Sequence, residues 1–125
     1  MQSIPDCANK RVLEVGCGTG AFTKEILKKL QDGDEFHIVE LCPDFCEAVE
    51  TTLLKQFREE NPNIVVSLHN APIEEANLEG NFDAIICGLP FNNFPLKLVE
   101  HLFKVMFDFL SQGAELAYFE YLGMR

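Results

Sequence analysis

The 125-residue sequence contains no tryptophan and only two tyrosines, and its cations are few: ten Lys and Arg stand against twenty Asp and Glu, for a formal net charge of -10. That balance argues against a general nucleic-acid-binding surface. The main basic group, Lys24, Lys28 and Lys29, falls on the outer side of an expected helix and reads as a solvated face. Uncharged apolar runs of membrane-spanning length are missing as well, because residues 98–110 are broken by Glu100, His101, Lys104 and Asp108. Five cysteines, Cys7, Cys17, Cys42, Cys46 and Cys87, include no Cys-x-x-Cys pair. With nothing that reads as a secretory signal, they imply reduced thiols and a cytoplasmic setting. Cys42 and Cys46 lie four apart at a helix start and read as small buried residues on one face, so no metal site is expected.

What is present is a glycine turn between a strand and a helix. Val12-Leu-Glu-Val15 reads as a buried strand, and Gly16, Gly18 and Gly20 follow at alternate positions. Phe22, Ile26, Leu27 and Leu30 then recur at helical spacing. Glycine admits positive φ and lets a ligand approach bare backbone, and the start of the helix presents free N–H groups. A nucleotide-type ligand is expected there.

Two ligands compete. Gly16-x-Gly18-x-x-Ala21 satisfies a dinucleotide fingerprint. Glu14 argues for S-adenosylmethionine (SAM), because a carboxylate would repel a pyrophosphate and attract an ammonium and a sulfonium. The run Leu13-Glu-Val-Gly-Cys-Gly-Thr-Gly20 closely resembles motif I of class I SAM-dependent methyltransferases.

The remaining chain alternates strand and helix. Strands are expected over residues 11–15, 36–41, 64–69, 82–87 and 114–121. Helices are expected over 21–30, from 43 to just before Asn61, 73–78 and 95–110, with a stop at Ser111-Gln-Gly113. Such alternation calls for a parallel sheet with helices on both faces and a ligand crevice at the carboxyl ends of the strands. The resemblance implies a Rossmann-like methyltransferase sheet of order 3-2-1-4-5, an α/β fold in which residues 1–125 form one SAM-binding domain. Complete members of that class have seven strands, so the expectation is a chain that lacks the last two. Its fifth strand would then be an edge able to pair in a dimer.

Glu40 ends the second expected strand, where a carboxylate can accept both ribose hydroxyls, with Leu41 beside it. The same residue would serve NAD. The resemblance assigns Asn70 and the backbone of Ala71 to the adenine. His37, His69 and His101 are expected to be structural. The resemblance extends the cofactor set from Glu14, Gly16, Cys17, Gly18 and Gly20 through Glu40, Leu41, Asn70 and Ala71 to Gly88.

Gly88-Leu-Pro-Phe91 occupies the place of motif IV, which in amino-directed methyltransferases begins with Asn or Asp. Gly88 departs from that pattern, removes a side-chain acceptor and is expected to free space for a larger amine. With Pro95, residues 107–113 and Tyr118-Phe-Glu-Tyr121, this region looks similar to bacterial phospholipid N-methyltransferases. That likeness implies methylation of an amine such as phosphatidylethanolamine at a membrane surface, with Leu89, Pro90, Phe91 and Tyr118 at the transfer site. Methyl transfer from a sulfonium needs alignment more than acid–base machinery. The alternatives are a ribosomal-RNA adenine methyltransferase, an NAD-binding domain, and a truncated SAM-binding domain without activity.

Overall fold

The computed structural model describes residues 9–89 and 94–118, with backbone alone for 111–118. β1 (Arg11–Val15) is followed by α1 (Ala21–Leu27), β2 (Glu35–Val39) and α2 (Pro43–Val49). A π-helical turn (Glu50–Leu54) runs on into α3 (Lys55–Glu60). Then come β3 (Val65–His69), a 3₁₀ turn (Ile73–Glu75), β4 (Phe82–Cys87), α4 (Leu96–Phe109) and β5 (Leu110–Tyr118). All strand pairs are parallel, in the order β3-β2-β1-β4-β5, as the resemblance implied.

β1 is central, so it is covered on both faces and tolerates a continuous run rather than strict alternation. Val12 packs with Ile26, Phe36, Ile38, Val49 and Ile86 under α1 and α2. Leu13 and Val15 pack on the opposite face with Val39, Ile73, Ile85 and Met106, under the 3₁₀ turn and α4. Each fully buried aliphatic side chain contributes about 1.5–3 kcal/mol. Lys24, Lys28 and Lys29 are exposed, and Cys46 is buried while Cys42 is half-buried.

The ends of β1 and β2 away from the glycine turn are joined by a buried ion pair. Lys10 Nζ lies 2.5 Å from Asp34 Oδ2, and both side chains are fully shielded from solvent. Asp34 also accepts from the backbone N–H of Lys10 at 3.0 Å and of Gln31 at 2.6 Å. A buried carboxylate is tolerated when its lone pairs are filled in this way.

Several boundaries differ from expectation. β2 ends at Val39, so Glu40 and Leu41 lie in the loop after it, and the helix expected over 73–78 is a 3₁₀ turn over Ile73–Glu75. α1 ends at Leu27, three residues early, because the chain tightens through the Lys29 N–H to Ile26 carbonyl bond toward the Gln31–Asp34 turn. The helix after Pro43 contains the π turn, which period-four spacing does not reveal. β5 begins at Leu110, before the expected stop. Leu110 pairs with Phe82 and Glu115 with Ala84, so residues 111–114 bulge out against Asp83 alone. Ser111-Gln-Gly113 therefore breaks the ladder without ending the strand.

Candidate active site

The glycine turn is tied to both neighbouring strands. The Gly16 N–H donates to the Val39 carbonyl at 2.8 Å, and the Gly88 N–H donates to the Val15 carbonyl at 2.9 Å. Gly16, Gly18 and Gly20 all have positive φ. At Gly16, where φ is +81°, the backbone conformation favours glycine, and a β-carbon would also push the end of the Leu89 side chain, 2.6 Å away at Cδ2. At Gly18 a β-carbon would meet nothing within 4 Å, so this segment opens outward.

Glu40, half-buried at the end of β2, clasps that segment. Its Oε1 accepts from the Gly18 N–H at 2.9 Å and its Oε2 from the Cys42 N–H at 3.0 Å. A carboxylate oxygen has two acceptor directions, so each still has one to offer a hydroxyl. Asn70 closes the next loop. Its Nδ2 donates to the carbonyls of Glu40 at 2.9 Å and Leu41 at 3.0 Å, which leaves Oδ1 to accept from a ligand.

Beside these groups lies a cavity of about 270 Å³. Val15, Gly16, Val39, Glu40 and Leu41 form one side, Ala71, Pro72, Ile73 and Glu74 another, and Leu89, Phe94, Leu98 and Leu102 the third. The walls are apolar apart from Glu40 and Glu74. Glu74 Oε2 accepts from His101 Nε2 at 2.7 Å, and a backbone bond, then this pairing, holds its carboxyl below the usual range. A flat apolar heterocycle fits such walls, and a ribose fits the open acceptors of Glu40.

The other expected site residues fall in different places. Glu14 does not line the cavity. Alternation along β1 turns Val15 toward it and Glu14 to the opposite face, beneath α1. There Glu14 is 0% exposed, its Oε1 accepts from the Thr23 hydroxyl at 2.5 Å, and its Oε2 has no partner. Burial pushes its carboxyl up to about 8, against the Thr23 bond, with the Glu40 charge adding to the rise. Burial likewise raises the thiols of Cys17 and Cys46, with Glu40 adding to both, and takes Cys87 up to about 12. None of the three is a ready nucleophile.

Gly88 does not free space. A β-carbon there would lie 2.9 Å from the Gly16 carbonyl oxygen and 3.6 Å from the Phe22 ring, so glycine is a packing requirement. Pro90 and Phe91 lie outside the described residues. Tyr118 pairs with Cys87 at the end of β5, and only its backbone is described. His37 stacks on His69 with ring nitrogens 3.1 Å apart, and its other nitrogen is 2.6 Å from Glu35. Burial, then the nearby His37, lowers the pKa of His69. Among the described residues no group of His, Cys, Asp and Glu is arranged to hold a metal, and no helix is long and apolar enough to cross a membrane.

Sequence reasoning missed Ile73, Glu74 and the α4 wall. Leu98 and Leu102, four apart on an amphipathic helix, carried a signal that core packing alone had absorbed.

Comparison with known proteins places this site in a family. The family described as "methyltransferase domain" matches residues 12–113. A curated relative, malonyl-[acyl-carrier protein] O-methyltransferase 1 of Ilyobacter polytropus, is 29% identical over 109 residues, 86% of this chain. The chain spans 36% of that relative's length. A SAM-dependent O-methyltransferase from Thermotoga maritima superposes with a TM-score of 0.71 at 18% identity, covering 90% of this chain and 38% of the other. Coclaurine N-methyltransferase bound to N-methylheliamine and S-adenosylhomocysteine (SAH) superposes at 0.65 with 24% identity, covering 90% and 30%. With the family matched over most of its length and the cavity set at the carboxyl ends of β1, β2 and β4, the chain belongs to the SAM-dependent methyltransferase domains.

Proposed function

We propose that SAM lies in the cavity described above and that the acceptor approaches from the Leu89 side. The observation that carries this reading is the clasp of Gly18 by Glu40, which sets a carboxylate with open acceptor positions at the mouth of an apolar slot. Glu40 would take the ribose hydroxyls. Asn70 Oδ1 would accept from the adenine amino group, with Leu41, Ala71 and Ile73 against the ring. When bound, the cofactor supplies a methyl group already activated by the sulfonium. The protein's task is to orient the acceptor atom and exclude water. Leu89, Phe94 and Leu98 supply an apolar wall for that.

Two acceptors are in view. The first is a carboxylate oxygen of a malonyl-type thioester, the only strongly nucleophilic oxygen of such a group. It is supported by the 29% identity to a malonyl-[acyl-carrier protein] O-methyltransferase. The second is an amine such as that of phosphatidylethanolamine. It is supported by the Leu89-Pro90-Phe91 sequence, because an aromatic face suits a nitrogen gaining positive charge. Gly88 no longer favours the amine, since backbone packing accounts for it.

The test is radiolabel transfer from SAM to malonyl-[acyl-carrier protein] and to phosphatidylethanolamine vesicles, side by side. Label in the malonyl carrier supports the first acceptor, and label in the lipid replaces it with the second. The cofactor assignment is tested separately, by calorimetry with SAH and NAD. Binding of NAD without SAH would overturn it.

A further inference from the structure

Glu14 and Thr23 form a closed pair on the face of the sheet opposite the cavity. Both are fully buried, and the hydroxyl sits 2.5 Å from Oε1. The second oxygen, Oε2, is buried without a partner. An acceptor left so is costly unless the carboxyl holds a proton or a positive charge lies near. The charged and titratable groups around it come from three elements. Glu40 ends β2, Cys17 lies in the glycine turn and Cys87 ends β4, and each is electrostatically coupled to Glu14. Cys17 and Cys87 stay protonated at ordinary pH, and among the described residues no cation acts on the Glu14 carboxyl. Glu14 is thus the group whose charge changes in the working range, just beneath the turn that meets the cofactor.

We infer that Thr23 is a positioning residue for the cofactor: by holding Glu14 it governs how readily that carboxyl becomes an anion when a cationic ligand settles over the glycine turn. The inference rests on SAM occupying the cavity. Thr23 donates to Oε1, and such a bond favours the ionised form. SAM carries one positive charge more than SAH, at the sulfonium. An anionic Glu14 therefore favours SAM over SAH, and a protonated Glu14 does not. The pair would let the spent cofactor leave more easily than the loaded one.

The experiment is calorimetric titration of SAM and SAH between pH 6.5 and 9 with the wild type and with Thr23→Val, Thr23→Ser and Glu14→Gln. In the wild type the preference for SAM over SAH should grow on the order of tenfold as pH rises through about 8. Thr23→Val keeps the shape and loses the donor, so the rise should move to higher pH. Thr23→Ser keeps the donor and should restore the wild-type profile. The cofactor's own amine titrates near pH 8 in every variant alike, and Glu14→Gln isolates its share. Overturning results are a pH-independent preference in a wild type that binds both ligands, or a wild-type profile in Glu14→Gln. A Thr23→Val protein with native circular dichroism and an unmoved profile would do the same. If Thr23→Val does not fold, the Glu14→Gln profile decides. Failure of the wild type to bind either ligand at any pH would overturn the cofactor assignment itself, and this inference with it.

Discussion

The Gly18 amide and the Glu40 carboxylate, 22 residues apart in sequence, meet at 2.9 Å and join the turn after β1 to the loop after β2. One side chain thus shapes the turn and presents acceptors to the ligand. Glu40→Ala should lose both roles. Hydrogen bonds to charged groups run to ~1.5–3 kcal/mol and do not add fully, so SAH binding should weaken by about 2–4 kcal/mol. Glu40→Gln keeps one acceptor and should fall between. Calorimetry on the three proteins checks the order, and an Ala variant that binds like wild type would refute the ribose role.

Gly88→Asn would restore the polar residue that motif IV carries elsewhere. Here it should damage the protein, since the new β-carbon would sit 2.9 Å from the Gly16 carbonyl oxygen. Overpacking of this kind costs about 1–3 kcal/mol. Thermal unfolding of Gly88→Ala and Gly88→Asn should show lower Tm for both, and an unchanged Tm would mean that the two turns separate easily.

Stability should also depend on Glu14. Its carboxyl is raised to about 8 in the folded protein against an ordinary value of 4.5. Between those values the folded state holds a proton that the unfolded state has released. Stability therefore falls as pH climbs from 4.5 toward 8 and levels off above. Glu14→Gln should flatten that segment of the profile. Urea unfolding at half-unit pH steps measures it, and parallel profiles for the two proteins would contradict the assignment.

Far from the cavity, Asp34→Ala should destabilise by about 3–5 kcal/mol, because it removes the carboxylate of an ion pair with Lys10 in which both side chains are shielded from solvent. SAH affinity of the folded fraction should stay as in the wild type. A loss of under 1 kcal/mol in denaturant titration would show that Lys10 finds another outlet.

Much of this was legible in residue order. The run of Val12–Val15, the three glycines and the helical spacing after them led to the right elements, and Glu40 at a strand end was found by its place. The strand order followed from the resemblance in motif I rather than from any pattern of apolar residues. What escaped the sequence depends on contacts between distant segments. The need for glycine at position 88 comes from a carbonyl 72 residues earlier. Glu14 looked like a ligand contact because its type suits a cation, but strand alternation sends it to the other face, onto Thr23. The π turn leaves no trace in spacing, because it adds a residue without changing which side chains are apolar. It shows in the backbone, where the Lys55 N–H bonds to the Glu50 carbonyl five residues back.

The stitching of Gly16 to Val39 and of Gly88 to Val15 divides the cavity into two mechanical parts. The side formed by the ends of β1, β2 and β4 is ladder backbone, already ordered, so a ligand there loses little affinity to freezing the chain. The far wall is Phe94, Leu98 and Leu102, side chains at the start and on the first turns of one helix. Substitutions on that helix can reshape what the cavity admits without loosening a single bond of the glycine floor. A lineage could then exchange one acceptor for another in small steps, each intermediate keeping its grip on the methyl donor.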